Sequence, residues 1–513
     1  MKRIFASAFL LAALHAGAQE NALLDRDFWV NKPDVTAVKA ELAKGFDFKN
    51  LAGTADPILL AMNSEAPIEV IRLLIDQPGV DLKRTLMEGR IYLHIAAQKD
   101  NVPVADYLLT KGSDMDFLDA NRHTALSFAA FNTHLNPALI DVFIKHGLDI
   151  QQKYPEKDGA NLLLLAVGYD EDLSTTDYLI SKGLSINATD NSGNTVFNHA
   201  AKIGNIDVLK GLLKKGAKYS PEALFSAAQG TYRSANKIEV YKYLVDDLGI
   251  DPLITDENGR NVLHYVVRKQ NQDDVIDYFF KKGVDINKVD AEGNTPFMGA
   301  AGIKSVAIIS SMLPKVKNIN AVNREGESAL TNAVKSANAE VVALLLKNGA
   351  DVNIVDEAGH NLAYIAVDAY RGASGRGGFG GRGGAAPAET SREQTSPADD
   401  LAAKLNVLNG SGLDLTIPFS DGSTLYHLAV TKNDLALLKK ISSQAIDINA
   451  KDGEELTVLH KAAMLARNDE ILRYLVSVGA KKDVETSFGE TAYDLANENE
   501  LLKQANIPVD FLK

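Results

Sequence analysis

The chain of 513 residues contains no cysteine. This absence excludes disulfide bonds, zinc sites built on thiolates and a lipid anchor on a cysteine that follows a leader. Beyond the N-terminus, no segment approaches the roughly 18 unbroken apolar residues of a membrane-spanning helix. A net charge of −13 argues against a general nucleic-acid binder. The function therefore has to be sought in a pattern that the whole chain shares.

The first residues have the composition of a secretory signal peptide. Two basic residues precede an apolar run from Ile4 to Leu14, and the small residues Ala16 and Ala18 predict that residues 1–18 are cleaved off. The apolar run is too short to span a bilayer. We expect a periplasmic or secreted protein, and the absence of cysteine in so long an exported chain favours a bacterial envelope.

Four glycines recur at a nearly constant spacing. Gly259, Gly293, Gly326 and Gly359 lie 34, 33 and 33 residues apart, each in the same order of polar turn, apolar helix, glycine and Asp or Asn. A period of about 33 residues indicates a repeat array, in which each unit buries its apolar face only against its neighbours. The sequence thus predicts an all-α solenoid of about 13–14 helix-turn-helix repeats with short β-hairpin or turn fingers.

The unit from Asn323 to Val355 shows the pattern most clearly. It contains two apolar stripes at helical spacing: Ala329, Leu330, Ala333 and Val334, and then Val341, Val342, Leu345 and Leu346. Each stripe predicts one short helix with one face to bury. Gly349 follows the second stripe, where a glycine in the left-handed conformation commonly ends a helix.

Several segments resemble the consensus of one repeat family. They are Asn294-Thr295-Pro296-Phe297 with Ala300-Ala301, Val262-Leu263-His264, Val458-Leu459-His460-Lys461-Ala462-Ala463, and Gly349-Ala350-Asp351-Val352-Asn353. In these pieces the chain resembles the ankyrin repeat family, in register from about residue 20 to the end. The resemblance implies a protein-binding solenoid whose fingers and first helices form a concave face, and it does not identify the partner.

The period predicts the organisation of the chain. The repeat array covers residues 19–370 and 399–484, and residues 485–513 form a polar capping repeat. Between the two parts of the array, residues 371–398 are rich in Gly and Arg and are predicted to be a disordered inserted loop. This loop resembles Arg-Gly boxes that bind RNA, but an exported protein meets little RNA, so a flexible linker is the preferred interpretation.

Two further departures from the pattern are visible. Extra residues between the two helices, Tyr232 to Lys237, interrupt the unit from Ser220 to Thr255, and Lys317 stands where a helix-ending glycine is expected. Trp29, the only tryptophan, is expected to close the open end of the first repeat, although an anchor for a partner is the alternative.

Residues with catalytic or metal-binding potential have structural interpretations. His94, His264, His427 and His460 occupy one position of separate repeats, whereas a metal site needs converging ligands; the resemblance implies that each hydrogen-bonds between neighbouring turns. Lone turn aspartates do not form a calcium loop. No nucleophile, metalloprotease or phosphate-loop motif occurs. We predict no enzyme, no catalytic residue, no cofactor and no bound metal.

The resemblance places partner contacts at the finger tips and on the first helices. The candidate residues are Asn194, Arg260, Arg268, Asn294, Arg324, Glu327, Lys335 and His360, with Arg268 and Lys335 expected early in their helices. We expect a monomeric, non-catalytic scaffold that binds a protein or peptide, does not bind nucleic acid and has no membrane-spanning segment. A stabilising companion of an exported enzyme and a secreted effector acting on host proteins are the alternatives.

Overall fold

The computed structural model of the chain describes residues 21–49, 51, 56–231, 234–303, 305–371 and 396–513. The predicted signal peptide, residues 1–18, lies outside the described residues, as does most of the predicted inserted loop. The chain forms two compact units, divided between Ser226 and Ala227. The helix Ala223–Gln229 contains this division.

The first unit consists of short helices in pairs. They are Arg26–Val30, Val35–Leu42, Pro57–Asn63, Ile68–Ile75, Tyr92–Gln98, Val102–Thr110, Ala125–Asn132, Pro137–Lys145, Leu162–Ala166, Ser174–Ser181, Val196–Ala201 and Ile206–Lys214, with 3₁₀ turns at Ala22–Leu24, Met87–Gly89, Pro155–Lys157 and Val167–Tyr169. The two-residue strands Lys153–Tyr154 and Ala160–Asn161 pair antiparallel, with Lys153 opposite Asn161.

The second unit repeats the same arrangement. Its helices are Ile238–Lys242, Val262–Val266, Asp273–Lys281, Pro296–Ala301, Val306–Met312, Ala329–Ser336, Ala339–Lys347, Leu362–Asp368, Pro397–Gly410, Leu425–Thr431, Leu435–Ile441, Val458–Leu465, Glu470–Ser477, Ala492–Glu498 and Glu500–Gln504. A π-helix, Tyr243–Asp247, and 3₁₀ turns at Leu313–Lys315 and Asp510–Leu512 complete it. Isolated β-bridges close several turns, for example Val355 with Asn361.

Local sequence signals begin and end the helices of the clearest repeat. The Ser328 hydroxyl accepts a hydrogen bond from the Thr331 N–H at 3.2 Å, and the Asn338 side chain accepts one from the Val341 N–H at 3.2 Å. These caps satisfy backbone donors that a helix start leaves unpaired. Gly349 has φ +91°, the left-handed conformation predicted for the end of the second helix.

Stacking of successive repeats buries the predicted apolar stripes. Ala329–Ser336 packs between the first helices of the repeats before and after it, and Ala339–Lys347 packs likewise between second helices. Ala333 and Leu345 are fully buried. Because these helices contact their equivalents in the neighbouring repeats, the core continues from repeat to repeat and depends on the repeat spacing.

The irregular repeats keep this arrangement with local changes. Where Lys317 replaces the expected glycine, the second helix Val306–Met312 ends in a 3₁₀ turn. Ser396 caps the 14-residue helix Pro397–Gly410, whose first turn thus includes the last residues of the range predicted to be loop. The rest of that loop, residues 372–395, lies outside the described residues.

Trp29 is a core residue at the start of the first unit. Its side chain is fully buried, and the indole N–H donates a hydrogen bond to the Leu23 carbonyl at 2.8 Å. This placement matches the expectation that Trp29 closes the first repeat, because buried tryptophan needs an acceptor for its N–H.

Over the part of the chain that the structure describes, no helix is both long enough and apolar enough to cross a membrane.

Candidate partner-binding surface

Each finger is a tight turn held by its first polar side chain. In the finger that starts at Asp290, the carboxylate accepts backbone N–H bonds from Glu292 at 2.9 Å and Asn294 at 2.8 Å. Burial raises the pKa of Asp290, but these hydrogen bonds and the nearby Arg260 outweigh burial, so the pKa lies below its usual value. The ionised carboxylate therefore holds the turn at neutral pH.

Backbone hydrogen bonds join the tips of neighbouring fingers. The N–H groups of Ala291, Arg324 and Glu357 donate to the carbonyls of the preceding fingers, Asn258, Glu292 and Glu325, at 2.8–2.9 Å. The same bond joins Asn191 to Asp158 in the first unit, at 2.8 Å. The fingers of each unit are therefore a linked row rather than independent loops.

Buried histidines occupy one and the same position beneath four of the fingers. His94, His264, His427 and His460 each place Nε2 at 2.9–3.2 Å from a carbonyl oxygen of the following finger. Nδ1 accepts the backbone N–H at the start of the same helix, for example that of Thr457 at 3.0 Å. Nε2 therefore carries the proton and donates. Burial lowers the pKa of all four imidazoles, and the neutral ring joins adjacent repeats, as the resemblance implied.

Two of the predicted contact residues form hydrogen bonds that stabilise the fingers. The Asn194 amide donates to Asp190 Oδ2 at 3.0 Å. The amide oxygen of Asn294 accepts from the Asn323 side chain of the next finger at 3.0 Å. Both side chains therefore stabilise the surface, and neither is free to change partner without a cost to the turn.

The predicted arginines differ in how firmly they are held. Arg260 Nε donates to the buried Asp290 carboxylate at 3.2 Å. Arg324 is 3.9 Å from Glu292, and both side chains are mostly exposed. Exposed pairs of this kind contribute about 0–1 kcal/mol, so Arg324 is available to a partner at little expense whereas Arg260 is part of the folded finger.

The expected positions of Arg268 and Lys335 were wrong. Arg268 follows the end of the helix Val262–Val266, and Lys335 lies in the last turn of Ala329–Ser336. The reason is that the first helices are only about two turns long, so residues expected near the start of a helix lie at its C-terminal end or beyond it. Lys335 pairs with Glu327, which brings two predicted residues together, whereas Arg268 lies in a different place, beside a cavity.

His360 belongs to an aromatic cluster that the sequence did not indicate. Its ring stacks on Tyr364 with centroids 3.8 Å apart and 7° between planes, and Nδ1 lies 3.0 Å from Asp356 Oδ2. Phe419 meets the Tyr364 ring edge-on at 5.0 Å. Phe419 lies 55 residues after Tyr364 in the sequence, so only packing of the repeats reveals the cluster.

Comparison with known proteins agrees with this geometry. The family model described as ankyrin repeats in three copies matches residues 58–154 and 263–356, and that of ankyrin repeats in many copies matches residues 162–213. The chain therefore contains ankyrin repeats over these residues. The all-α, helix-turn-helix solenoid predicted from the period is thereby confirmed.

The curated relatives share the repeats over part of their length. An ankyrin repeat protein of Fowlpox virus, FPV022, is 24% identical over 274 residues, which cover 42% of this chain and 46% of that protein. The phosphocholine transferase AnkX of Legionella pneumophila is 23% identical over 255 residues, covering 45% and 27%. This chain thus spans less than half the length of the relatives it matches.

Among solved structures, the human ASB11 ankyrin repeat domain aligns with a TM-score of 0.37 and 19% identity. The alignment covers 48% of this chain and 96% of that domain.

One group of potential metal ligands occurs within the described ranges of this ankyrin protein. Ligand atoms of His134, Asp170 and Asp172 lie within 4.8 Å of one another. Asp170 is buried, and its two oxygens accept the backbone N–H groups of Thr175 at 3.1 Å and Thr176 at 2.6 Å. These bonds explain its burial as a cap on the following helix.

The ankyrin fingers also expose an apolar row that sequence reasoning missed. Val289, Val322 and Val355 stand immediately before the first polar residue of three consecutive fingers, and they are 54%, 50% and 48% exposed. We call these residues the valine row. Their 33-residue spacing was the available signal, but exposure could not be derived from it, since equally spaced valines on the helices are buried.

Proposed function

We propose that the protein is a non-catalytic scaffold that binds a protein or peptide partner on its fingers and first helices. The observation that carries the proposal is the valine row, three half-exposed apolar side chains at one position of consecutive fingers. Apolar side chains in such an ordered exposed group mark interaction sites more often than scattered ones do. A partner with a matching apolar strip would bury all three valines.

The linked fingers favour binding on a preformed surface. Hydrogen bonds between adjacent tips, such as Glu357 N–H to the Glu325 carbonyl at 2.9 Å, order the row before a partner arrives. Less conformational entropy is then lost on association. Exposed Arg324 and Glu325 beside Val322 would form the polar rim that commonly surrounds an apolar contact.

The transferase activity in the name of the Legionella relative is not part of the function that we propose for this chain. The match is 23% identical and covers 27% of that transferase. We therefore retain binding without catalysis. The place of action that we propose is the bacterial cell envelope or the exterior, on the composition of residues 1–18.

Affinity capture from an envelope fraction tests the proposal. The test variant changes Val289, Val322 and Val355 to Ser, and the control changes the exposed second-helix residues Lys281 and Lys347 to Ser. We expect the wild type and the control to retain the same specific protein and the test variant to lose it, with all three melting at similar temperatures.

Two outcomes would contradict this function. Equal capture by the valine variant would exclude the valine row as the binding surface, and turnover of an envelope substrate by the purified protein would refute the non-catalytic role. A single partner retained in a one-to-one ratio would favour the companion of an exported enzyme over a scaffold with several partners.

A further inference from the structure

A polar cavity of about 730 Å³ opens in the second unit, away from the fingers. It lies between the loops that connect first to second helices in two successive repeats. The lining side chains that matter below are Lys237, Glu239, Arg268, Lys269, Gln272 and Asp274. The volume is within the range of about 300–1,000 Å³ typical of ligand pockets.

The repeat that forms one wall departs from regular geometry. Its second helix begins as Ile238–Lys242 and continues as the π-helix Tyr243–Asp247. π-helical turns are rare and occur frequently at functional sites. Residues 234–237, the described part of the extra segment predicted from the sequence, precede this helix and line the same wall of the cavity.

Gln272 lies on the opposite wall, at the start of a second helix. At the start of several other second helices the side chain accepts a backbone N–H; examples are Asn101, Asn338 and Asp434, at 3.1–3.2 Å. Gln272 makes no such cap. A longer side chain at this position has left the helix end and lines the cavity.

Among the described residues, no donor reaches the amide oxygen of Gln272. The residue is 5% exposed, and its Nε2 donates to the carbonyls of Asn236 at 3.2 Å and Asn271 at 3.1 Å. Those two acceptors determine the orientation of the amide, which leaves Oε1 unpaired. A buried acceptor without a donor is costly, and a ligand with an N–H group would satisfy it.

The cavity also carries cations without partners. Lys237, Arg268 and Lys269 form no ion pair among the described residues. The lining carboxylates are Glu239 and Asp274, so the local balance is positive in a chain with a net charge of −13. An anionic group that reaches Arg268 and Lys269 is therefore favoured.

We propose that this cavity binds an acidic segment of a partner polypeptide. A main-chain N–H of the segment donates to Gln272 Oε1, and a carboxylate of the segment contacts Arg268 and Lys269. An acidic peptide supplies both the donor and the anion, whereas a simple anion such as chloride supplies no donor. The inference rests on the proposed protein-binding function and adds a second contact site to it.

Binding of a short fluorescent peptide of alternating Glu and Ser tests this inference, measured by anisotropy at low salt. Arg268→Ala is expected to weaken binding by about tenfold, as for loss of a charged hydrogen bond. Lys347→Ala, outside the cavity, is the matched control and should bind like the wild type. A peptide of alternating Lys and Ser should not bind.

Gln272→Asn separates binding from folding. Asn allows the helix cap found in several other repeats, such as that of Asn338, so the melting temperature should stay the same or rise, while peptide affinity should fall. Absence of binding of the Glu–Ser peptide to the wild type, or equal affinity of the Arg268→Ala and Lys347→Ala variants, would overturn the inference.

The outcome is independent of the capture experiment on the valine row. If capture depends on the valines and the peptide does not bind, the inference falls and the proposed function stands. If the peptide binds through Arg268 and Gln272 but capture ignores the valines, the cavity site stands and the assignment of the valine row falls.

Discussion

Replacement of His460 by Leu tests whether the hydrogen bonds of this buried histidine stabilise the contact between neighbouring repeats. His460 is 1% exposed; its Nε2 donates to the Val484 carbonyl at 2.9 Å, and its Nδ1 accepts from the Thr457 N–H at 3.0 Å. Leu fills similar space but removes both bonds. Each contributes about 1 kcal/mol, and each leaves a buried group unpaired. We expect a loss of about 2–4 kcal/mol in unfolding free energy.

The effect should also depend on pH with a defined sign. Burial lowers the pKa of His460, so the unfolded chain, with an ordinary pKa of about 6.5, binds a proton more readily than the folded chain. The stabilisation by His460 is complete above that ordinary value and is lost as the pH falls through the lowered folded pKa. The difference in unfolding free energy between the wild type and His460→Leu should therefore decrease on acidification, by at most about 1.4 kcal/mol per pH unit.

Urea unfolding at neutral and mildly acidic pH measures the difference in unfolding free energy between the two proteins. Hydrogen exchange over residues 457–486 shows whether the loss of stability lies in these repeats. Exchange is needed because repeat arrays can unfold in parts. His360→Leu is the control, since His360 lies in an exposed finger and bonds to Asp356 of the same turn. A loss below about 1 kcal/mol for His460→Leu, or a difference that increases in acid, would refute the reasoning.

Two further predictions concern the fingers and the core. Gly326→Ala should lower the unfolding free energy, measured by urea titration, more than Gly359→Ala does. Both glycines have a φ between +74° and +81°. A Cβ at Gly326 would lie 3.0 Å from the Glu357 nitrogen, whereas a Cβ at Gly359 would have no atom within 4 Å. Equal losses would show that the finger contact is adaptable. Leu345→Ala should cost about 3–5 kcal/mol because Leu345 is fully buried, and the half-buried Leu344→Ala should cost clearly less in the same thermal and urea scans; similar costs would contradict the assigned packing.

Much of the fold could be predicted from the sequence because its signals are local. The stripes of Ala333 and Leu345 recur at helical spacing, Ser328 caps its own helix, and Gly349 ends the next one. Each acts within a few residues along the chain. Trp29 and His460 were also assigned correctly, since position within a repeat implied their surroundings.

The contacts within the candidate surface could not be predicted from the sequence, for a physical reason. Arg260 was placed at a finger tip, and its bond to Asp290 of the next finger was not foreseen. That pairing depends on how two repeats about 30 residues apart stack, which no local pattern specifies. Arg268 was placed on the wrong part of its repeat because the length of the first helix was not known.

The sequence by itself determined the repeat, its period, the helix ends and the histidine position, because these depend on local spacing and on side chains that satisfy nearby backbone groups. Only the tertiary structure decided which residues stay exposed or unpaired. Val322 remains half exposed and, among the described residues, Gln272 Oε1 has no donor. Neighbouring repeats bury some side chains and not others, and this depends on the packing of segments that are far apart in the sequence.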